Sequence, residues 1–100
     1  MLHLVNKSPF ERKTLENCFR RAAPGSAILL YEDAVYAALG GTALSDTMIE
    51  AAKAFDIFVL TPDLAARGLD PDAVVDGVQN IDYDGFVDLT VDRGTVQSWL

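Results

Sequence analysis

Ala27-Ile28-Leu29-Leu30-Tyr31 is an uninterrupted apolar run, and its reading decides the fold class. A strand with one solvated face alternates apolar and polar residues. A run with no polar member belongs to a strand covered on both faces, as in a parallel sheet with helices packed against it. Working outward, Leu2-His3-Leu4-Val5 and Ile57-Phe58-Val59-Leu60 read as its neighbours. A weaker fourth strand spans residues 78–82, where Gln79 and Asn80 interrupt the apolar pattern.

Helical patterns separate these runs. Ser8-Pro9-Phe10-Glu11 carries a capping serine, a proline suited to the first helical position and a glutamate three residues after the cap. The stripe Leu15, Cys18, Phe19, Ala22 follows, and Pro24-Gly25 ends it. Asp33 opens a short helix through Leu39, stopped by Gly40-Gly41. Ser45 opens another, with Met48, Ala52 and Phe55 as its buried stripe, and Thr61-Pro62-Asp63 begins one that closes at Gly68. A last helical pattern covers about residues 84–91, before a tail ending in Trp99-Leu100. Alternating strands and helices encode a mostly parallel sheet with crossover helices. The expectation is a small three-layer α/β/α domain, residues 1–100, with a mostly parallel four-stranded sheet and room for a fifth strand.

One hundred residues allow one core, with about 65% of the unfolded surface buried. Half of the residues are hydrophobic, slightly above the share a small domain easily hides, so association with other chains is expected. No apolar run approaches the roughly 18 residues of a membrane span. The start MLHLVNK lacks a basic leader followed by a long apolar core, so no secretory signal is expected. With a single cysteine, no internal disulfide forms. The reading is a cytoplasmic chain with no membrane contact.

Charge is distributed unevenly. Lys7, Arg12, Lys13, Arg20 and Arg21 outnumber Glu11 and Glu16 in the first 21 residues, while the whole chain carries a formal charge of −7. Such a chain repels a phosphate backbone, so no direct nucleic-acid contact is expected. The basic first helix could steer an acidic protein partner, or could be a solvated face.

The loops after the strands, where ligands meet α/β folds, are Asn6-Lys7-Ser8, Glu32-Asp33, Thr61-Pro62-Asp63 and Tyr83-Asp84-Gly85. None is a glycine-rich phosphate cradle, and three carry a carboxylate where a phosphate would sit. His3 is the single histidine, so a zinc site within the chain lacks ligands, and a packed, hydrogen-bonded role suits it. A calcium loop begun at Asp70 would need oxygen at Val74, glycine at Val75 and glutamate at Ile81, and fails all three. No cofactor and no metal are expected.

Cys18 remains. A thiol takes up sulfur as a persulfide when its thiolate is accessible. Arg21, one turn along, would favour the thiolate. The C-terminal half of the helix dipole and the apolar stripe shared with Leu15 and Phe19 oppose it. On the residues alone, an inert buried cysteine and a reactive one both stand.

The stretches LHLVNKSPFER (2–12), LLYEDAVYAAL (29–39), TPDLAARGL (61–69), IDYDGFVDLT (81–90) and VQSWL (96–100), in this order and spacing, resemble the DsrH/TusB family of sulfur-relay subunits within the DsrE-like superfamily. The resemblance covers nearly the whole chain. It implies a small three-layer α/β fold and a place as the smallest of three homologous subunits in a cytoplasmic hexamer that moves sulfur as a protein persulfide. The sister subunits would be DsrE/TusD-like and DsrF/TusC-like, and the downstream acceptor DsrC/TusE-like. The residues 6–12 and Cys18 resemble the DsrH branch of oxidative sulfur metabolism. The TusB branch, which serves 2-thiolation of the tRNA wobble uridine and usually lacks this cysteine, is the alternative. A non-catalytic subunit that completes the hexamer is another. The resemblance also implies that the principal sulfur-carrying cysteine lies on the DsrE/TusD-type partner, which leaves Cys18 as at most a secondary persulfide acceptor with Arg21 stabilising its thiolate.

Overall fold

The computed structural model describes Met1–Leu100. Five parallel strands form one sheet: β1 (Leu2–Val5), β2 (Ala27–Leu30), β3 (Asp56–Leu60), β4 (Val78–Ile81) and β5 (Val96–Trp99), in the spatial order β4-β3-β2-β1-β5. The apolar run of β2 lies at the centre, with all four residues buried. Its register pairs Ile28 with His3 on one side and with Ile57 on the other.

Strand order explains the layers. The steps from β1 to β2, β3 and β4 all move the same way across the sheet, so right-handed crossovers put their connections on one face. These connections are α1 (Thr14–Arg21), a 3₁₀ segment (Glu32–Ala38), α2 (Ser45–Ala54) and α3 (Thr61–Ala66). The return from β4 to β5 moves the opposite way and lays α4 (Tyr83–Arg93) on the other face, alone. Strand alternation sorts the core accordingly. Sixteen buried residues, among them Val5, Cys18, Ile28, Leu30, Met48, Ile57, Val59 and Leu64, fill the first face. On the α4 face only Leu2, Ala27, Leu29 and Leu60 are fully buried, with Phe86 and Leu89 of α4 packed over them. The core is lopsided, and the α4 layer is thin.

Two expectations need correction. The first helix does not begin at Ser8-Pro9. Residues 8–12 form a turn in which the Ser8 carbonyl accepts from the Glu11 and Arg12 amides, at 3.2 and 3.0 Å, and its hydroxyl accepts from the Phe10 amide at 3.3 Å. Phe10 stays 56% exposed, so nothing apolar anchors those residues until Leu15 reaches the core. The short helix expected to open at Asp33 is 3₁₀ and starts one residue earlier, at Glu32 with φ 47°, without a side-chain cap. Its pairs Ala34/Ala37 and Val35/Ala38 are all buried, and a three-residue turn places such i, i+3 pairs in register. The room left for a fifth strand is taken by the tail, where β5 pairs with β1 from Leu2↔Val96 to Val5↔Trp99. At Gly77, φ is 93° and a Cβ would lie 2.8 Å from the Ala52 Cβ, so only glycine lets α2 approach the start of β4 this closely.

Candidate functional site

Cys18 faces the sheet from the middle of α1 and is fully buried in the larger core. Burial pushes its thiol up to about 12, from an ordinary 9.0, and no cation offsets that shift. Removing the thiolate from water costs more than any nearby charge returns. In this conformation the thiol is a neutral core group. Arg21 is exposed at the end of the same helix, beside His3 and Trp99 rather than Cys18. The two residues singled out in the sequence therefore share a helix without forming one site.

At the C-terminal ends of β2 and β3 the loops are tied to each other. The Glu32 amide donates to Asp63 Oδ2 at 2.6 Å, and the Arg67 guanidinium donates to Asp33 Oδ1 at 2.9 and 3.2 Å. The carboxylates that the sequence places here thus hold loop against loop and the strained Glu32 backbone in place. Burial and, second, the adjacent Glu32 charge raise the Tyr31 pKa. Nothing in this arrangement gathers donors for a phosphate.

The exposed surface is more informative. Tyr83, Val87 and Val91 lie at i, i+4, i+8 on α4 and are 58%, 59% and 75% exposed, so they form one apolar stripe on the helix's outer side. Phe86 and Leu89 form the other stripe, which packs on the sheet. Val96 and Leu100 are further exposed apolar residues at the chain's end. On the opposite face of the molecule, a hollow of about 300 Å³ between α1 and α2 has a floor of Leu15, Phe19, Leu44 and Met48 and a rim that includes Arg12 and Lys13. Sequence reasoning recognised α4 but not its outer stripe, because two apolar stripes on one helix give no sign of which one meets the sheet.

Comparison with known proteins places this geometry. The family described as DsrH like protein matches residues 7–96. Protein TusB of Pectobacterium parmentieri is 35% identical, and that of Erwinia tasmaniensis 37%, each across 99% of this chain and all of the relative. Among solved structures, the Escherichia coli ychN protein superposes with a TM-score of 0.79 at 20% identity, covering 97% of both chains. Protein MTH1491 of Methanobacterium thermoautotrophicum superposes at 0.69 with 14% identity, over 97% of this chain and 95% of the other. Both likenesses show the parallel α/β fold expected from the sequence. With a family model spanning most of its length and relatives above 30% identity end to end, the chain belongs to the DsrH-like protein family.

Proposed function

We propose that this chain is a TusB-type subunit of a protein relay that delivers sulfur for 2-thiolation of the tRNA wobble uridine. Cys18 made the DsrH branch of oxidative sulfur metabolism the first expectation. The full-length similarity to proteins named TusB favours the alternative branch and carries this reading. The buried state of Cys18 agrees with it, since a cysteine held as a core thiol gives no ground for assigning the chain to the branch that uses one.

In this reading the chain contributes surface and its partners contribute the reactive thiol. Transpersulfidation requires an accessible thiolate that attacks the outer sulfur of a donor persulfide. To accept sulfur, Cys18 would have to leave the core together with α1. The exposed stripe Tyr83, Val87, Val91 supports a role in assembly with TusC-like and TusD-like sister subunits: it is apolar, contiguous and carried on a thin layer. A TusE-like protein would then take the sulfur from a partner thiol.

Deleting the gene in its host and measuring 2-thiouridine in bulk tRNA tests the assignment. Loss of the thiolated nucleoside, restored both by the natural chain and by Cys18→Ala, is expected. Unchanged tRNA together with impaired oxidation of reduced sulfur would return the chain to the DsrH branch. A folded, assembled Cys18→Ala complex that fails to restore thiolation would return the sulfur-carrying role to Cys18.

A further inference from the structure

Where β1 and β5 run side by side past the end of α1, a hollow of about 390 Å³ is lined by His3, Arg21, Ser26, Gln97 and Trp99. The register pairs His3 with Gln97 and Val5 with Trp99, so alternation puts His3, Gln97 and Trp99 on the α1 side of the sheet. His3 is only 4% exposed, and its one side-chain hydrogen bond is at Nδ1, which accepts from Trp99 Nε1 at 3.0 Å. A ring nitrogen that accepts carries no proton, so the proton of the neutral imidazole sits on Nε2. That donor has no partner in the protein. Burial, and second the positive chain terminus, lower the His3 pKa and keep the ring in this neutral form near pH 7.

The charge around it is equally one-sided. Arg20, Lys53, Arg67 and Arg93 each have a carboxylate partner, whereas Arg21, like Lys7, Arg12 and Lys13, has none, and of these four it alone lines the hollow. No aspartate or glutamate lines the hollow, although the chain as a whole carries a charge of −7. Ser26, 5% exposed, adds a hydroxyl, and Gln97 adds an amide. His3 and Ser26 are buried while Arg21 and Gln97 are exposed at the hollow's mouth, so four side chains offer donors to it with no acidic group to receive them.

We propose that this hollow binds a small oxyanion of the phosphate or sulfate type, held by the Arg21 guanidinium and the His3 Nε2–H, with Ser26 and Gln97 completing the ring of donors. The guanidinium presents a planar fork that matches two oxygens of such an ion. The volume lies near the lower end of the roughly 300–1,000 Å³ found for small-molecule sites, and the Trp99 indole closes one side. The site is on the α1 face, away from the α4 stripe, and does not depend on the subunit role proposed above.

Trp99 is the single tryptophan, and its indole N–H is bonded to His3, so it reports on the site directly. The full chain is labelled with ¹⁵N, alone or assembled with unlabelled partner chains. Sodium phosphate and, separately, sodium sulfate are titrated against it, with ionic strength held constant by sodium chloride. A saturable shift of the Trp99 indole resonance is expected. Arg21→Gln should weaken it roughly tenfold or more, as loss of a charge-assisted contact does. Arg20→Gln removes the same charge one residue away and should leave the affinity within about twofold, since diffuse surface charge is screened at constant ionic strength. A shift that never saturates, or equal weakening by both substitutions, would overturn the site and leave only general attraction between the ion and a basic helix end.

Discussion

Cys18 shows how one residue's chemistry is set by its surroundings. Its neighbours along α1 include Arg21, yet the thiol points into the core and its pKa is pushed up to about 12 by burial. The native state therefore holds the proton more tightly than the unfolded chain does. The stability this brings is fully present below the ordinary 9.0 and is lost as the pH rises toward about 12. Chemical unfolding followed across that range should show a decline that Cys18→Ala lessens, the remainder coming from Tyr31, whose pKa is also raised. Near pH 7, iodoacetamide should modify Cys18 only after denaturant is added. Cys18→Ser should lose about 1–3 kcal/mol, because its buried hydroxyl must leave water without a new partner. Rapid alkylation of the native chain would refute this account of the thiol. Read from the sequence, the shared apolar stripe favoured an inert cysteine without excluding a reactive one, since helical spacing locates a residue on a face but not its distance from water.

Helix α4 is where element-scale reasoning is tested most directly. Its N-terminus is set locally: Asp82 Oδ1 accepts from the Gly85 amide at 2.9 Å and caps the helix. Its two apolar stripes then divide, with Phe86 and Leu89 toward the sheet and Tyr83, Val87 and Val91 toward solvent. Val87→Asp and Val91→Asp should leave the isolated chain within about 0.5 kcal/mol of its stability, as exposed substitutions do. If α4 is a docking surface, the same changes should weaken assembly with sister chains tenfold or more, because a charge placed in a desolvated apolar contact is left unpaired. Size-exclusion chromatography of co-expressed subunits reads this, and an unaltered complex would remove α4 from the interface. Local signals were less reliable at α1. The serine, proline and glutamate at residues 8–11 formed a turn, and the helix began at Thr14, one residue before Leu15 enters the core. The apolar anchor, and not a cap, sets this start, since Lys13 precedes the helix without a capping side-chain hydrogen bond.

At the scale of the whole molecule, the two ends of the chain meet. β1 and β5 are parallel neighbours, and the Trp99–His3 bond links residues separated by 96 positions. Trp99 also packs against the larger core from the sheet's edge. Trp99→Ala should therefore cost roughly 2–3 kcal/mol, below the roughly 3–5 of a fully buried tryptophan because this one is only half-buried. Urea unfolding followed by circular dichroism measures it, and an unchanged midpoint would mean that β5 merely lies against the sheet. By itself, the sequence determined the parallel α/β class, the order of the elements and the family, because a wholly apolar strand and the alternation of strand with helix are recorded in local spacing. The tertiary structure alone decided that the tail becomes a fifth strand, that Cys18 is buried while Arg21 turns to another hollow, and that α4 keeps an uncovered stripe. Each of these depends on which residues, distant along the chain, come to lie beside the one in question. Burial and desolvation are set by those spatial neighbours, and a linear pattern does not specify them.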